Sequence, residues 1–234
     1  ISEAGAWKTL SLLAEIPRQV STGTLRQACG LEACSQSAQL RKWLDSQSFE
    51  DVVTLPEDPN ALGILDLSIS SPDLTGRDAD DTASFTNRVS QKMRSDGLTL
   101  GIGRFMEPRG FYLADAFEGR LGDPRERRTI HLGIDLFQEP GTAIHAPLAG
   151  RVHTVRENQN RLDYGPTVIL EHSAPSGLFW TLYGHLERAS VENLKTGDSI
   201  DAGQPIARMG TYPENGDWPP HLHFQIITDL MGFE

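Results

Sequence analysis

The chain has 234 residues, enough for one large domain or two small ones with a sizeable core. Its formal net charge of −11, from 21 Lys+Arg against 32 Asp+Glu, argues against nonspecific partners such as nucleic acid or an anionic membrane. No apolar run approaches membrane-spanning length, and two cysteines cannot build a disulfide framework.

The chain opens at Ile1 and not Met, so it is expected to be a segment of a longer protein. Residues 2–16 have the spacing of a helix, with Trp7, Leu10, Leu12 and Leu13 on or near one apolar side and Pro17 as its stop. Further helices are expected over residues 21–28 and 35–44, the latter with Leu40, Trp43 and Leu44 towards a core. Cys29 and Cys34 fall between these helices and are expected to be small buried thiols. From residue 45 to about 97 the periodicity weakens. Pro56, Pro59, Pro72, the serines around 68–71 and the acidic run 78–81 predict a linker with little repetitive structure.

After residue 98 glycines recur between short β-prone runs. Strands are expected over 109–114, 142–146, 150–155, 167–172, 178–185, 199–200, 205–209 and 222–228, with a single helical turn at 190–194. Many short strands without intervening helices predict a mainly β fold: an antiparallel sheet, sandwich or open barrel, preceded by a small helical segment. The domain boundaries expected are a helical segment at 1–45, a linker with strand additions at 46–120 and a β domain at 121–234.

Two clusters carry the chemistry. HLGID at 131–135 and HLH at 221–223 together offer three imidazoles and a carboxylate, the donors that zinc prefers. Neither closes a site alone, so the fold must join them across the intervening chain. In a strand, His221 and His223 point to one face, about 6 to 7 Å apart. One imidazole can then hold a metal while the other faces the water on it. Gly133 argues against a helix between His131 and Asp135, but a bent strand-to-loop segment can aim both at one point.

His131, Asp135 and His223 would give a three-ligand zinc site of net charge +1 with a position open for water, the arrangement of a catalytic site, since structural ones are closed by four protein ligands. His185, in YGHL at 183–186, would serve with His221 as a base or as a donor to a tetrahedral intermediate.

Those three motifs resemble the zinc peptidases of the lysostaphin and LytM type, which hydrolyse peptide bonds in peptidoglycan. That family is marked by H-x-G-x-D, Y-x-HL and PHLHF segments, which stand here as HLGID, YGHL and PHLHF, the last with Pro220 in place. The runs 141–152 and 194–210 fit as well, so the resemblance covers roughly residues 125–228. It implies His131, Asp135 and His223 as zinc ligands, and His185 and His221 as the catalytic histidines. It also implies an antiparallel LytM-like core (a duplicated hybrid motif) with a groove for an extended peptide or peptidoglycan-like substrate. The activity it implies is that of a zinc metalloendopeptidase.

Two departures stand out. The loop before PHLHF is TYPENGDWP at 211–219, where the family often has small Gly and Ser residues. Tyr212 and Trp218 there are expected to narrow the groove or offer a stacking surface, and Glu214 and Asp217 either to select a cationic group or, as is usual for loop carboxylates, to be simply solvated. The helical segment 1–44, in turn, is similar to the tail of an aminoglycoside-phosphotransferase-like kinase domain. Such a tail before such a peptidase domain implies a fusion protein continuing into a class III aminotransferase. Its flanking domains would then be the partners and its location cytoplasmic; without that context, the cell envelope or periplasm is implied.

The remaining charged residues have plainer readings. Arg104, Glu107 and Arg109 are expected to pair on the surface, with a guarded substrate entrance as the other use. His145 is expected to be partly buried, His153 to face outward from a strand and His172 to stand at a strand end, while 125–128 (RERR) reads as solvated linker. Two rival functions remain. One is a binding or regulatory module that keeps the peptidase fold without hydrolysis. The other is a biotinyl- or lipoyl-type carrier, disfavoured because no lysine stands at a suitable hairpin tip.

Overall fold

A computed structural model of the chain describes residues 37–73, 81–110 and 129–230. The helices expected over 2–16 and 21–28, the two cysteines, most of the strand at 109–114 and the basic run 125–128 lie outside the described residues. Helix α1 (Ser37–Leu44) buries Leu40 and sets Trp43 edge-on against Phe179, with ring centroids 5.9 Å apart.

The stretch expected to be irregular contains more structure than its composition suggests. A 3₁₀ turn at Pro59–Ala61, capped by the Asp58 side chain, leads into β1 (Leu62–Ile64). Helix α2 (Thr82–Ser95) starts at Asp81, whose carboxylate accepts from the Ala83 N–H and the Ser84 hydroxyl. Thr82, Phe85 and Val89 form its buried face, and Lys92 and Arg94 lie in its last turn, where they favour the helix dipole. Four more strands follow in order: β2 (Leu100–Gly103), β3 (Ile134–Phe137), β4 (Ala143–His145) and β5 (Gly150–Asn158). Then come β6 (Gly165–Ala174), β7 (Gly177–Gly184), the short α3 (Arg188–Val191), β8 (Ser199–Ile200), β9 (Pro205–Arg208) and β10 (Leu222–Ile227).

Eight strands form one open sheet in the order β1-β2-β3-β10-β7-β6-β5-β8, and β4 and β9 form a separate two-stranded ribbon. All pairings are antiparallel except β1 with β2, which run parallel. The expectation of a mainly β, antiparallel architecture therefore holds for the described residues, with that one parallel edge as a correction. Parallel pairing needs a long crossover, and the chain between β1 and β2 includes α2.

The pleat divides the core in two. One face of the sheet carries Leu100, Leu136, Val152, Val168, Leu170, Tyr183, Ile200 and Leu222, which pack with Ile144 and Ala207 of the ribbon. A second apolar cluster joins Phe85 and Val89 of α2 to Leu65, Leu67, Phe137, Leu162 and Trp218. Because side chains alternate along a strand, Asp135 and His223 point away from the face that buries their neighbours Leu136 and Leu222.

Candidate active site

Register builds the site. His223 of β10 lies directly opposite Asp135 of β3, so the two side chains leave the sheet on one face as a cross-strand pair. His131 precedes β3 and is held by backbone bonds on both sides, with its N–H donating to the Glu107 carbonyl and its carbonyl accepting from Met106. Between them Gly133 is obligatory for space: a Cβ there would meet the His223 ring at 2.6 Å and the Phe224 carbonyl at 2.6 Å. This explains physically why glycine stands at the centre of the HLGID run.

His131 donates its Nδ1–H to the Arg104 carbonyl at 2.8 Å, which turns Nε2 inward. His223 uses its ring the other way. Its Nε2–H donates to Gln225 Oε1 at 3.3 Å, and Nδ1 faces inward. The three inward atoms form a near-equilateral triangle: His131 Nε2 to His223 Nδ1 3.0 Å, and each of these to Asp135 Oδ1 3.1 Å. Tetrahedral zinc with bonds of about 2.0–2.1 Å needs ligand–ligand edges of about 3.3 Å. The donor set and its spacing therefore fit such an ion, with one side of the triangle left for a further ligand. Two neutral imidazoles and one carboxylate are also the donor chemistry of that metal.

His221 and His185 stand beside this triangle. His221 donates Nδ1–H to the Pro219 carbonyl at 2.7 Å and stacks on Phe137 at a centroid distance of 4.7 Å, leaving Nε2 3.6 Å from Asp135 Oδ1. His185 donates Nδ1–H to the Asn215 carbonyl at 2.8 Å, and its ring centroid lies 4.4 Å from that of His221. The backbone of His185 is left-handed, with φ of 65°, and the conformation is over-determined by bonds from its N–H to the Tyr164 carbonyl and from Gly210 N–H to its own carbonyl. All five residues are buried.

Burial dominates the electrostatics. It would raise the Asp135 carboxyl, but His131, Arg109 and His221 together hold it well below the usual carboxylate range. Burial also pushes His221 down to about 4 and His223 down from the ordinary imidazole value. His185 is driven well below it, by burial first and by His221 and His223 next. Neutral rings whose outer N–H groups are pinned to carbonyls present unprotonated nitrogens to the site.

The loop before β10 acts as support. Trp218 is buried, donates Nε1–H to the Asp163 carbonyl at 3.1 Å, and lies against His185 and His221. It is thus not a groove-lining surface as expected, whereas Tyr212 is half exposed. Asp217 pairs with Arg161 at 2.8 Å and so has a partner within the chain, where cation selection or simple solvation was expected. Tyr164, which no motif singled out, places its ring 5.1 Å from that of His223. Arg104, Glu107 and Arg109 pair with one another as expected, and Arg104 is half exposed, but Glu107 and Arg109 are buried and Arg109 bonds Asp135, so the network is not confined to the surface. His145 is partly buried as expected; His153, expected to face outward, is partly buried too, and His172, near the end of β6, is buried and held by the Ala149 carbonyl and by Thr181.

Comparison with known proteins agrees with these features. The sequence profile described as peptidase family M23 matches residues 129–231. No curated protein matches the chain. Among solved structures, the chain is 28% identical to a zinc-containing peptidase from Vibrio cholerae, over 44% of this chain and 28% of that one, with a TM-score of 0.36. It is 29% identical to Helicobacter pylori Csd3, over 43% of this chain and 24% of that one, with a TM-score of 0.31. It thus spans only about a quarter of the length of these two proteins. Against the catalytic domain of the antimicrobial peptidase lysostaphin from Staphylococcus simulans it is 30% identical, over 45% of this chain and 79% of that one, with a TM-score of 0.34. The profile match begins at residue 129 and does not extend to residues 1–44. On the profile match and the identity across most of the lysostaphin domain, the chain belongs to peptidase family M23, of the lysostaphin and LytM type, through its residues 129–231.

Proposed function

We propose that the protein is a zinc-dependent endopeptidase whose metal is held by His131, Asp135 and His223 and whose proton transfers are carried by His221 and His185. The observation that supports this best is the triangle of inward ligand atoms, 3.0–3.1 Å on a side, flanked by two further buried histidines. When bound, zinc supplies a Lewis acid that polarises a carbonyl and lowers the pKa of water.

The chain's own residues would do the rest. His221 Nε2, unprotonated and fixed by its Nδ1–H bond, takes the proton of the attacking water as the oxygen bonds to the scissile carbonyl carbon. The imidazolium so formed would stabilise the developing oxyanion, and His185, its ring centroid 4.4 Å from that of His221, would add a donor once its inward nitrogen has taken up a proton. The proton then passes to the leaving amine as the C–N bond breaks, which yields a carboxylic acid and an amine; the acid's proton, the second from the water, then moves to the amine and leaves a carboxylate and an ammonium. Burial holds this ring down to about 4 even with the Asp135 carboxylate beside it working in the opposite sense.

The substrate class proposed is an extended peptide of the peptidoglycan cross-link type or a related small peptide. The domain boundary proposed is near 121, with the upstream segment as an addition to the peptidase domain; the kinase-like tail and fusion context are proposed on the resemblance alone. The test is digestion of a mixed peptide and peptidoglycan library by zinc-supplemented protein, read by mass spectrometry, with two variants alongside. His223→Ala is expected to lose the metal. His221→Ala should keep it and lose about 10²–10⁴ in turnover. Undiminished cleavage by both variants would overturn the assignment, and bound zinc without cleavage of any peptide would favour a non-hydrolytic module.

A further inference from the structure

The two oxygens of Asp135 have different company. Oδ1 faces the inward nitrogens of His131 and His223 at 3.1 Å each. Oδ2 accepts from Arg109 Nη1 at 2.6 Å. Arg109 then donates Nε–H to Glu107 Oε2 at 3.0 Å, and Glu107 Oε1 accepts from the Leu67 N–H at 3.2 Å and from Arg104 Nε and Nη2 at 3.1 and 3.0 Å. The chain of charges ends in the open, where Arg104 Nη2 meets Asp66 Oδ1 at 2.6 Å. Its inner members are buried, with side chains 4% exposed for Arg109 and 1% for Glu107 and Asp135.

Three further observations tie this segment to the site. The Arg104 carbonyl is the acceptor that orients His131. Arg109 N–H bonds to the Thr129 carbonyl, so the segment is laced to the strand entering HLGID. And Gly103, opposite Asp135 in register, leaves the space that Arg109 needs: a Cβ there would meet Arg109 Nη2 at 2.8 Å and the Asp135 Cβ at 3.1 Å. Buried ion pairs return little net stability compared with apolar packing, so a chain of them that terminates on one carboxylate oxygen is better explained by what it does to that carboxylate.

We propose that Arg109, backed by Glu107, is a positioning residue that holds Asp135 for coordination through a single oxygen, so that the M23 metal site is completed by the upstream segment 104–109. The inference rests on the reading of Asp135 as a metal ligand. The planar guanidinium bridges two carboxylates, donating Nη1–H to Asp135 Oδ2 and Nε–H to Glu107 Oε2, so Glu107 fixes the direction from which Arg109 meets Asp135, which a point charge cannot do. It also draws charge from the carboxylate and leaves a bound cation more Lewis-acidic.

The test uses the whole chain and two probes: Zn²⁺ affinity by chelator competition, and the visible absorption of the Co²⁺-loaded protein. Arg109→Lys keeps the charge and removes the fork, so a change reports orientation alone. It is expected to weaken Zn²⁺ binding by about 10–100-fold and to alter the Co²⁺ spectrum. Glu107→Gln, which leaves Arg109 uncompensated beside the cation, should weaken binding in the same direction. Asp66→Asn, at the exposed end, should stay within about twofold of wild type. Wild-type affinity and spectrum in a folded Arg109→Lys protein would overturn the proposal; if that variant does not fold, the same result in Glu107→Gln would do so. An Asp66→Asn loss as large as that of Arg109→Lys would also overturn it, because the effect would then be one of segment charge. Wild-type protein that binds neither ion would instead refute the ligand reading, and this proposal with it.

Discussion

Replacing Gly133 with alanine tests how closely the HLGID segment must approach β10. The added methyl would stand 2.6 Å from the His223 ring and from the Phe224 carbonyl, whereas ordinary contact begins at 3.4 Å, so something must yield by about 0.8 Å. The carbonyl belongs to β10, where Phe224 pairs with Ile134, so moving it disturbs the register that sets Asp135 against His223. Moving the ring instead shifts a ligand nitrogen by several times the roughly 0.2 Å that metal–ligand distances tolerate. Overpacking of this kind costs about 1–3 kcal/mol, and each kcal/mol lowers Tm by about 2–4 °C in a domain of this size. Gly133→Ala should therefore melt about 2–12 °C lower without metal, and lose about tenfold or more in Zn²⁺ affinity. Differential scanning calorimetry and chelator competition read the two effects separately. A variant with wild-type affinity and an unchanged melting temperature would refute the account of why glycine stands there.

Two further expectations concern the buried polar chain behind the sheet. His172 is neutral in the fold because burial lowers its pKa from 6.5, while its Nδ1–H bond to Ala149 works in the opposite sense. In the unfolded chain it titrates near 6.5, so on acidification the unfolded state takes up a proton that the folded state declines. Stability should thus be fully present above about pH 6.5 and fall below it, by at most about 1.4 kcal/mol per pH unit for this one group. His172→Gln should flatten the pH dependence of Tm in the metal-saturated protein; an unchanged slope would show that His172 is not the titrating group. Thr181→Val removes the hydroxyl 2.8 Å from His172 Nε2 and 3.0 Å from the Tyr183 hydroxyl, and should cost about 1–3 kcal/mol in denaturant unfolding without changing metal affinity.

Helix α2 shows where local signals were present but masked. Asp81, the buried face Thr82, Phe85 and Val89, and the basic last turn are all in the sequence, yet the prolines and serines upstream gave the whole stretch the look of a linker. The trio Arg104, Glu107 and Arg109 shows the opposite case. Alternating charges two or three residues apart are indistinguishable from a solvated surface until the neighbouring strand brings Asp135 to within 2.6 Å of Arg109. Trp218 likewise carries no mark of its role, because a loop tryptophan can line a groove or fill a core, and only the cluster with Phe85 and Phe137 decides it.

What the sequence by itself determined is the chemistry and its local aim. The HxH alternation of β10, the glycine in HLGID and the choice of imidazole and carboxylate donors depend on residues within a few positions of one another, where strand periodicity and donor type are written directly. What only the tertiary structure decided is the meeting itself: His223 opposite Asp135, the unused oxygen of that carboxylate turned to Arg109, and α2 with Trp218 closing the cluster beside His221. Those relations join segments up to about 135 residues apart, and strand register over such distances is set by which apolar faces can be buried together, not by any short-range preference.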